Sequence, residues 1–251
     1  MMRKRLAQAT DIFYNENARS RPSALIPSIL LILLLAAAAV WGIVRASDRI
    51  AASASKTPPT LVIDAGHGGF DGGAISTDGT KESDINLAVA LRLDCIVRFC
   101  GQKTLMTRWD DSQKTDILSY SEHDDLKSRA ELANKTENAV LISIHQNDFP
   151  TDQPKGAHVL YSAFGDSDRL GKRIQELLVT QLDPTNRRLA APAPSNLYLT
   201  SNTRCPAVLV ECGFMSNNFE VLKLKESGYQ TMLALLIAAA YLEYISGSSP
   251  A

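Results

Sequence analysis

Apolar and polar positions follow two alternating periods along most of this chain, and one stretch has no polar period at all. From Pro22 to Val44 there are 23 residues without a charge, centred on the run Ile29 to Val40. A helix rising 1.5 Å per residue would carry them about 35 Å, enough for the hydrocarbon core of a bilayer. The reading is one transmembrane anchor over residues 22–45, with a cleaved signal peptide or a buried core helix as its rivals. Residues 46–59 are rich in Ala and Ser and close on Pro58-Pro59. They read as a tether, so that a single domain occupies 60–246.

Within that domain short apolar runs alternate with longer helical patterns. Leu61-Val-Ile-Asp64 reads as a strand leading into a glycine-rich turn. Ile85, Val89, Leu93, Ile96 and Cys100 follow at helical spacing and make one stripe. Lys103–Thr107 predicts a strand, Leu126–Thr136 a helix, and Ala139–Ile144 a buried strand. His158–Tyr161 and Asn196–Leu199 are shorter strand candidates, with a helix over Ser167–Leu182 between them. Ala207–Val210 is again a β-branched strand, and helices from Phe219 close the domain. Met232–Leu242 is apolar over too few residues for a span and reads as a core helix. The alternation predicts an α/β fold: a single three-layer domain with a mostly parallel twisted sheet flanked by helices.

Charge sharpens this plan. Lys and Arg number 26 against 27 Asp and Glu, which leaves no basic excess for nucleic acid. The balance is an average of two parts: residues 1–45 carry six basic and two acidic groups, and the rest is net acidic. Five of the basic groups precede the apolar run, so the positive-inside bias places residues 1–21 in the cytoplasm and the domain on the extracytoplasmic side. The cysteines (Cys95, Cys100, Cys205, Cys212) form no CxxC pair and read as free, buried thiols.

Three of the predicted strands end in a group capable of chemistry. Strand 61–64 runs into His67, strand 139–144 into His145, and strand 207–210 into Glu211. Parallel α/β sheets bind ligands at the carboxyl ends of their strands, so these three groups are expected at one edge. Glu82, three residues before Ile85, is either a helix N-terminal acid complementing the dipole or a partner of the two imidazoles. Two His and one Glu form a ligand set used by hydrolytic zinc, with a fourth position open. The glycines beside His67, including Gly68 and Gly69, let backbone and substrate approach closely. They lack the Lys-Ser/Thr of a phosphate-binding loop. His123 and His158 read as structural or solvent-facing, and Cys212 as core.

Together these residues resemble a family. Ile63-Asp-Ala-Gly-His-Gly-Gly69, Asp71, Gly73-Ala74 and Glu82, then Ser143-Ile-His-Gln-Asn147 and Val210-Glu-Cys-Gly-Phe-Met-Ser-Asn217, are similar to the zinc-dependent N-acetylmuramoyl-L-alanine amidases, amidase 3 type. Thr107-Arg108, Asp110, Arg129 and Ala133-Asn134 fall in the family's order. The resemblance implies that His67, Glu82 and His145 hold one Zn2+ and that Glu211 is the catalytic carboxylate. It implies hydrolysis of the bond joining N-acetylmuramic acid to L-alanine in peptidoglycan, with Asn147, Arg129, Gly68 and Gly69 supporting substrate. Gln146, Asp148, Cys212 and Met215 depart from the family pattern, which bears on substrate subtype. Pro184–Ala191, Asn196–Leu199 and Arg204–Ala207 resemble the CwlD-like branch, which implies a role in spore-cortex muramic-lactam formation.

Three other readings share these residues. A vegetative wall amidase would carry the same zinc motifs, a zinc peptidase would cut within stem peptides, and a wall-binding protein would keep the fold without the activity. The last has no need for Glu211. The expected partners are the peptidoglycan strand and, through residues 22–45, a membrane; the sequence neither requires nor excludes an activating protein.

Overall fold

The computed structural model describes residues 58–111 and 120–247, all within one compact unit, Pro58–Ala251. The anchor and cytoplasmic segment expected over residues 1–45, and nearly all of the tether, lie outside the described residues. Among the described residues no helix is long and apolar enough to cross a membrane.

Strand β1 (Thr60–Ala65) opens the domain, followed by helix α1 (Glu82–Phe99), β2 (Thr104–Met106), α2 (Glu122–Lys135) and β3 (Ala139–Asn147). Then come β4 (His158–Tyr161), α3 (Ser167–Leu177), β5 (Ala191–Pro192), α4 (Tyr198–Asn202), β6 (Ala207–Phe214), α5 (Asn218–Leu224) and α6 (Ser227–Ser246). The sheet runs in the order β2-β1-β3-β6-β4-β5. Its first four strands are parallel, but β4 is antiparallel to β6 and β5 is parallel to β4. The sheet is therefore mixed, with the reversal at the β6–β4 boundary.

Side chains alternate between the two faces, as the two-residue period of a strand requires. Leu61, Ile63, Val140, Ile142, Val208 and Val210 are buried in the large core cluster with α1, α3 and α6. Val62, Ala139, Leu141 and Ala207 join a smaller cluster with Ala130 and Ala133 of α2 and Leu199 of α4. Each fully buried aliphatic side chain contributes about 1.5–3 kcal/mol. His145 and Glu211 fall on the smaller-cluster side of this alternation.

Three expectations need correction. Asn196–Leu199 is not a strand: Tyr198 starts the short helix α4, and the edge strand lies earlier at Ala191–Pro192. The alternation of Asn, Leu, Tyr and Leu fits either period over so short a run. The helix over 167–182 changes to a π-helical turn at Leu178–Leu182. Cys95 and Cys100 are free but exposed, since α1 turns them from the sheet, while Cys205 and Cys212 are free and buried as expected.

Candidate metal centre

Strands β1, β3 and β6 are adjacent and parallel, so their carboxyl ends share one edge. Their register pairs His145 with Glu211, and the following shift pairs Asn147 with Phe214. The extra residue on β6 makes a bulge just past Glu211, a device that re-aims side chains at a site. His67 follows β1 with φ of 59°, a left-handed backbone that histidine adopts infrequently. Helix α1 delivers Glu82 as its first residue.

Ligand atoms of His67, Glu82 and His145 lie within 4.8 Å of one another. His67 Nε2 is 3.4 Å from Glu82 Oε2, and His145 Nδ1 is 3.1 Å from Glu82 Oε1. The other nitrogen of the His67 ring meets a second carboxylate, with Nδ1 2.6 Å from Asp71 Oδ2. Metal-binding imidazoles are commonly oriented by such a carboxylate. The donor set, two imidazoles and one carboxylate, is one that zinc accepts while keeping an open position. The residues thus fit the metal.

Two glycines make the convergence possible. A β-carbon on Gly66 would lie 2.3 Å from His145 Nε2, and one on Gly73 would lie 2.7 Å from both Glu82 Oε2 and His67 Cδ2. Glu82 is further fixed by hydrogen bonds: Oε2 accepts from the Ala74 amide, and Oε1 accepts from the Gln146 amide and Asn86 Nδ2.

The electrostatics separate the two glutamates. Burial opposes charge on Glu82, but hydrogen bonds from both imidazoles outweigh it and hold the carboxyl well below its ordinary range. Burial likewise disfavours a charged His67, yet Asp71 and Glu82 overcome it and raise the imidazole to about 10. At Glu211 burial dominates, and the charges of His145 and His67 offset it only in part. Burial pushes it up to about 7, and its Oε2 is buried without a hydrogen-bond partner.

The remaining expected site residues take different places. Asn147 ends β3, half-buried, and its carbonyl accepts from the Met215 amide. The Gly68 amide donates to the Asp71 carbonyl and the Gly69 amide to Asp111 Oδ1. Arg129 is only 7% exposed, and its donors meet Asp125, Asp64 and the carbonyls of Ala65 and His67. These contacts brace the loop that carries His67. Arg108, noted in the sequence only for its order, binds the carbonyls of Ala65, Gly66 and Ser83. Asp71, Asn86 and Arg108 were missed as supports; Asp71, four residues after His67, offered the one local signal. His123 packs edge-on against Tyr198. His158 stands opposite Glu211 across the β6–β4 pair.

An α/β sheet edge bearing two imidazoles, a fixed carboxylate and a half-buried acid with an unpaired oxygen carries the donor set and the base expected of a hydrolase that can hold a metal. The comparison with known proteins makes the class specific: residues 61–243 match the N-acetylmuramoyl-L-alanine amidase family, and the chain belongs to it. The chain is 34% identical over 193 residues to the germination-specific N-acetylmuramoyl-L-alanine amidase of Bacillus subtilis, covering 74% of this chain and 79% of that one. The CwlD amidase from Clostridioides difficile, solved in complex with the GerS lipoprotein, superimposes with a TM-score of 0.70 at 34% identity, covering 76% of this chain and all of that one. Amidase AmiC2 of Nostoc punctiforme gives 0.64 at 27% identity, covering 74% and 96%. The protein is thus a peptidoglycan amidase.

Proposed function

We propose that this amidase is a zinc enzyme of the spore cortex, cutting the amide between N-acetylmuramic acid and L-alanine so that muramic δ-lactam can form. The observation that carries the catalytic part is Glu211, half-buried with its Oε2 enclosed and unpaired, in register with His145 and within the field of His145, Glu82 and His67. His67, Glu82 and His145 would hold the ion. When bound, zinc supplies Lewis acidity toward a water and the amide carbonyl. Glu211 accepts the proton of the attacking water and returns it to the departing amine, a task suited to a carboxyl poised near 7. Asp71 holds Nδ1 of His67, which leaves Nε2 as the nitrogen that would bind the ion. Arg129 and Arg108 position that loop, and Asn147 borders the substrate at the end of β3.

The germination-specific relative supports the cortex assignment. By analogy with the amidase solved beside a lipoprotein, a lipoprotein partner is proposed here too. The catalytic domain works on the extracytoplasmic side, anchored through residues 22–45. Metal analysis of the purified protein is expected to find one zinc per chain. Mass spectrometry of muropeptides from cortex and vegetative peptidoglycan is expected to show free L-alanine termini chiefly from cortex. Equal release from both would favour the vegetative wall amidase, and cuts within the stem a peptidase.

A further inference from the structure

We propose that Arg188 is a specificity-determining residue of this amidase, pairing with a carboxylate of the stem peptide. The proposal rests on the amidase activity and assigns a subsite to it.

The placement follows from the sheet. Glu211 of β6 is opposite His158 of β4. The β4–β5 register, Leu160 with Ala191, carried back by two residues sets Leu189 beside His158. Arg188 therefore stands three residues before Ala191, the first residue of β5, at the edge to which β6 delivers Glu211. Its guanidinium reaches back over that edge, with its carbon 4.8 Å from the centre of the Phe214 ring. Phe214 is the last residue of β6, three positions past Glu211. Neighbouring strands are about 4.8 Å apart, so the backbone beside Arg188 lies about 10 Å from that of Glu211.

The charge at this position lacks a partner. Arg188 Nε donates to the Lys155 carbonyl at 3.3 Å, and among the described residues the guanidinium joins no ion pair. By contrast Arg108 and Arg129 are enclosed by carbonyls and carboxylates. A half-exposed guanidinium stacked on an aromatic ring is held in place with its edge free, which suits recognition of a planar carboxylate.

The leaving peptide brings the matching group. Its second residue, after L-alanine, is acidic and presents a free carboxylate unless amidated. An extended peptide rises about 3.3 Å per residue, so that carboxylate falls about 7–10 Å from the scissile bond.

The test uses two muramyl tripeptides that differ only at the second residue, D-glutamate or D-isoglutamine. The full chain is expected to prefer the free acid by about tenfold in kcat/KM, expressed in KM. R188A brings that ratio to about one, with the loss falling on the KM of the free acid, and R188K keeps an intermediate ratio. An unchanged ratio in R188A, or no preference in the unaltered protein, overturns the assignment. Binding of both ligands to E211Q separates recognition from turnover. A preference there that R188A/E211Q loses supports the subsite even if neither ligand is cleaved, a result that would count against the activity alone; equal affinities in E211Q overturn the subsite.

Discussion

Arg108 and Arg129 donate to the same acceptor, the carbonyl of Ala65, at 2.9 and 2.8 Å. Two cations thus converge on the last residue of β1, and further donors of theirs take the carbonyls of Gly66 and His67. The loop that presents the first imidazole is held by its backbone from beneath. Asp64 balances the pair, accepting from Arg129 and from Ser143 Oγ inside the sheet.

Removing Arg129 leaves Asp64, only 1% exposed, as an uncompensated buried charge. Arg129→Ala is expected to cost about 3–5 kcal/mol, the range for breaking a buried ion pair from one side. Urea unfolding followed by circular dichroism measures it. A loss below about 1 kcal/mol would show that the bracing has little energetic weight.

The same pair sets an acid limit. Burial drives the Asp64 carboxyl up, and Arg129, His145 and Ser143 outweigh it, holding it below the ordinary carboxylate range. The folded value lies under the unfolded one, so the contribution is complete above about pH 4 and fades as pH falls through the folded value. Unfolding midpoints should drop from pH 5 to pH 2. The Asp64→Asn chain, though less stable at neutral pH, should show a shallower decline.

Asp71 orients His67 through Nδ1. Asp71→Asn keeps the size of the side chain and removes its charge. Zinc affinity, read by chelator competition, is expected to weaken about 10–100-fold with the fold intact by circular dichroism. An unchanged affinity would assign Asp71 to the loop alone.

Glu211→Gln should retain zinc and thermal stability and lose about 10²–10⁴-fold in kcat. Retention of turnover in that variant would move the proton to another group.

Gly66→Ala probes the close approach to His145. With 2.3 Å available, the new methyl and the imidazole cannot both keep their places. Zinc content is expected to fall sharply in a chain that still folds, and normal loading would show that β1 can shift to make room.

Much of this site was legible because its residues come at strand ends. Hydrophobic runs identified β1, β3 and β6, and a parallel sheet has only one carboxyl edge, so His67, His145 and Glu211 had to meet there. Glu82 was less determined, since an acid at a helix start has an ordinary dipole role; its place emerged only with the turn through Gly73. Arg129 shows the limit. An arginine on a polar helix face reads as available to substrate, and only the fold brings Asp64 and the carbonyls of Ala65 and His67 within its reach. The reversed strand β4 was equally unreadable, because direction leaves no trace in a four-residue hydrophobic pattern.

The three candidate ligands come from a loop after β1, the first turn of α1 and the end of β3, and two of them are brought together only by pairing β1 with β3. No short stretch of chain holds both imidazoles, so an unfolded or half-made molecule has nothing with which to capture an ion. An ion held by all three ligands would therefore bind only once β1 has paired with β3, so that the site is made by the sheet and not before it.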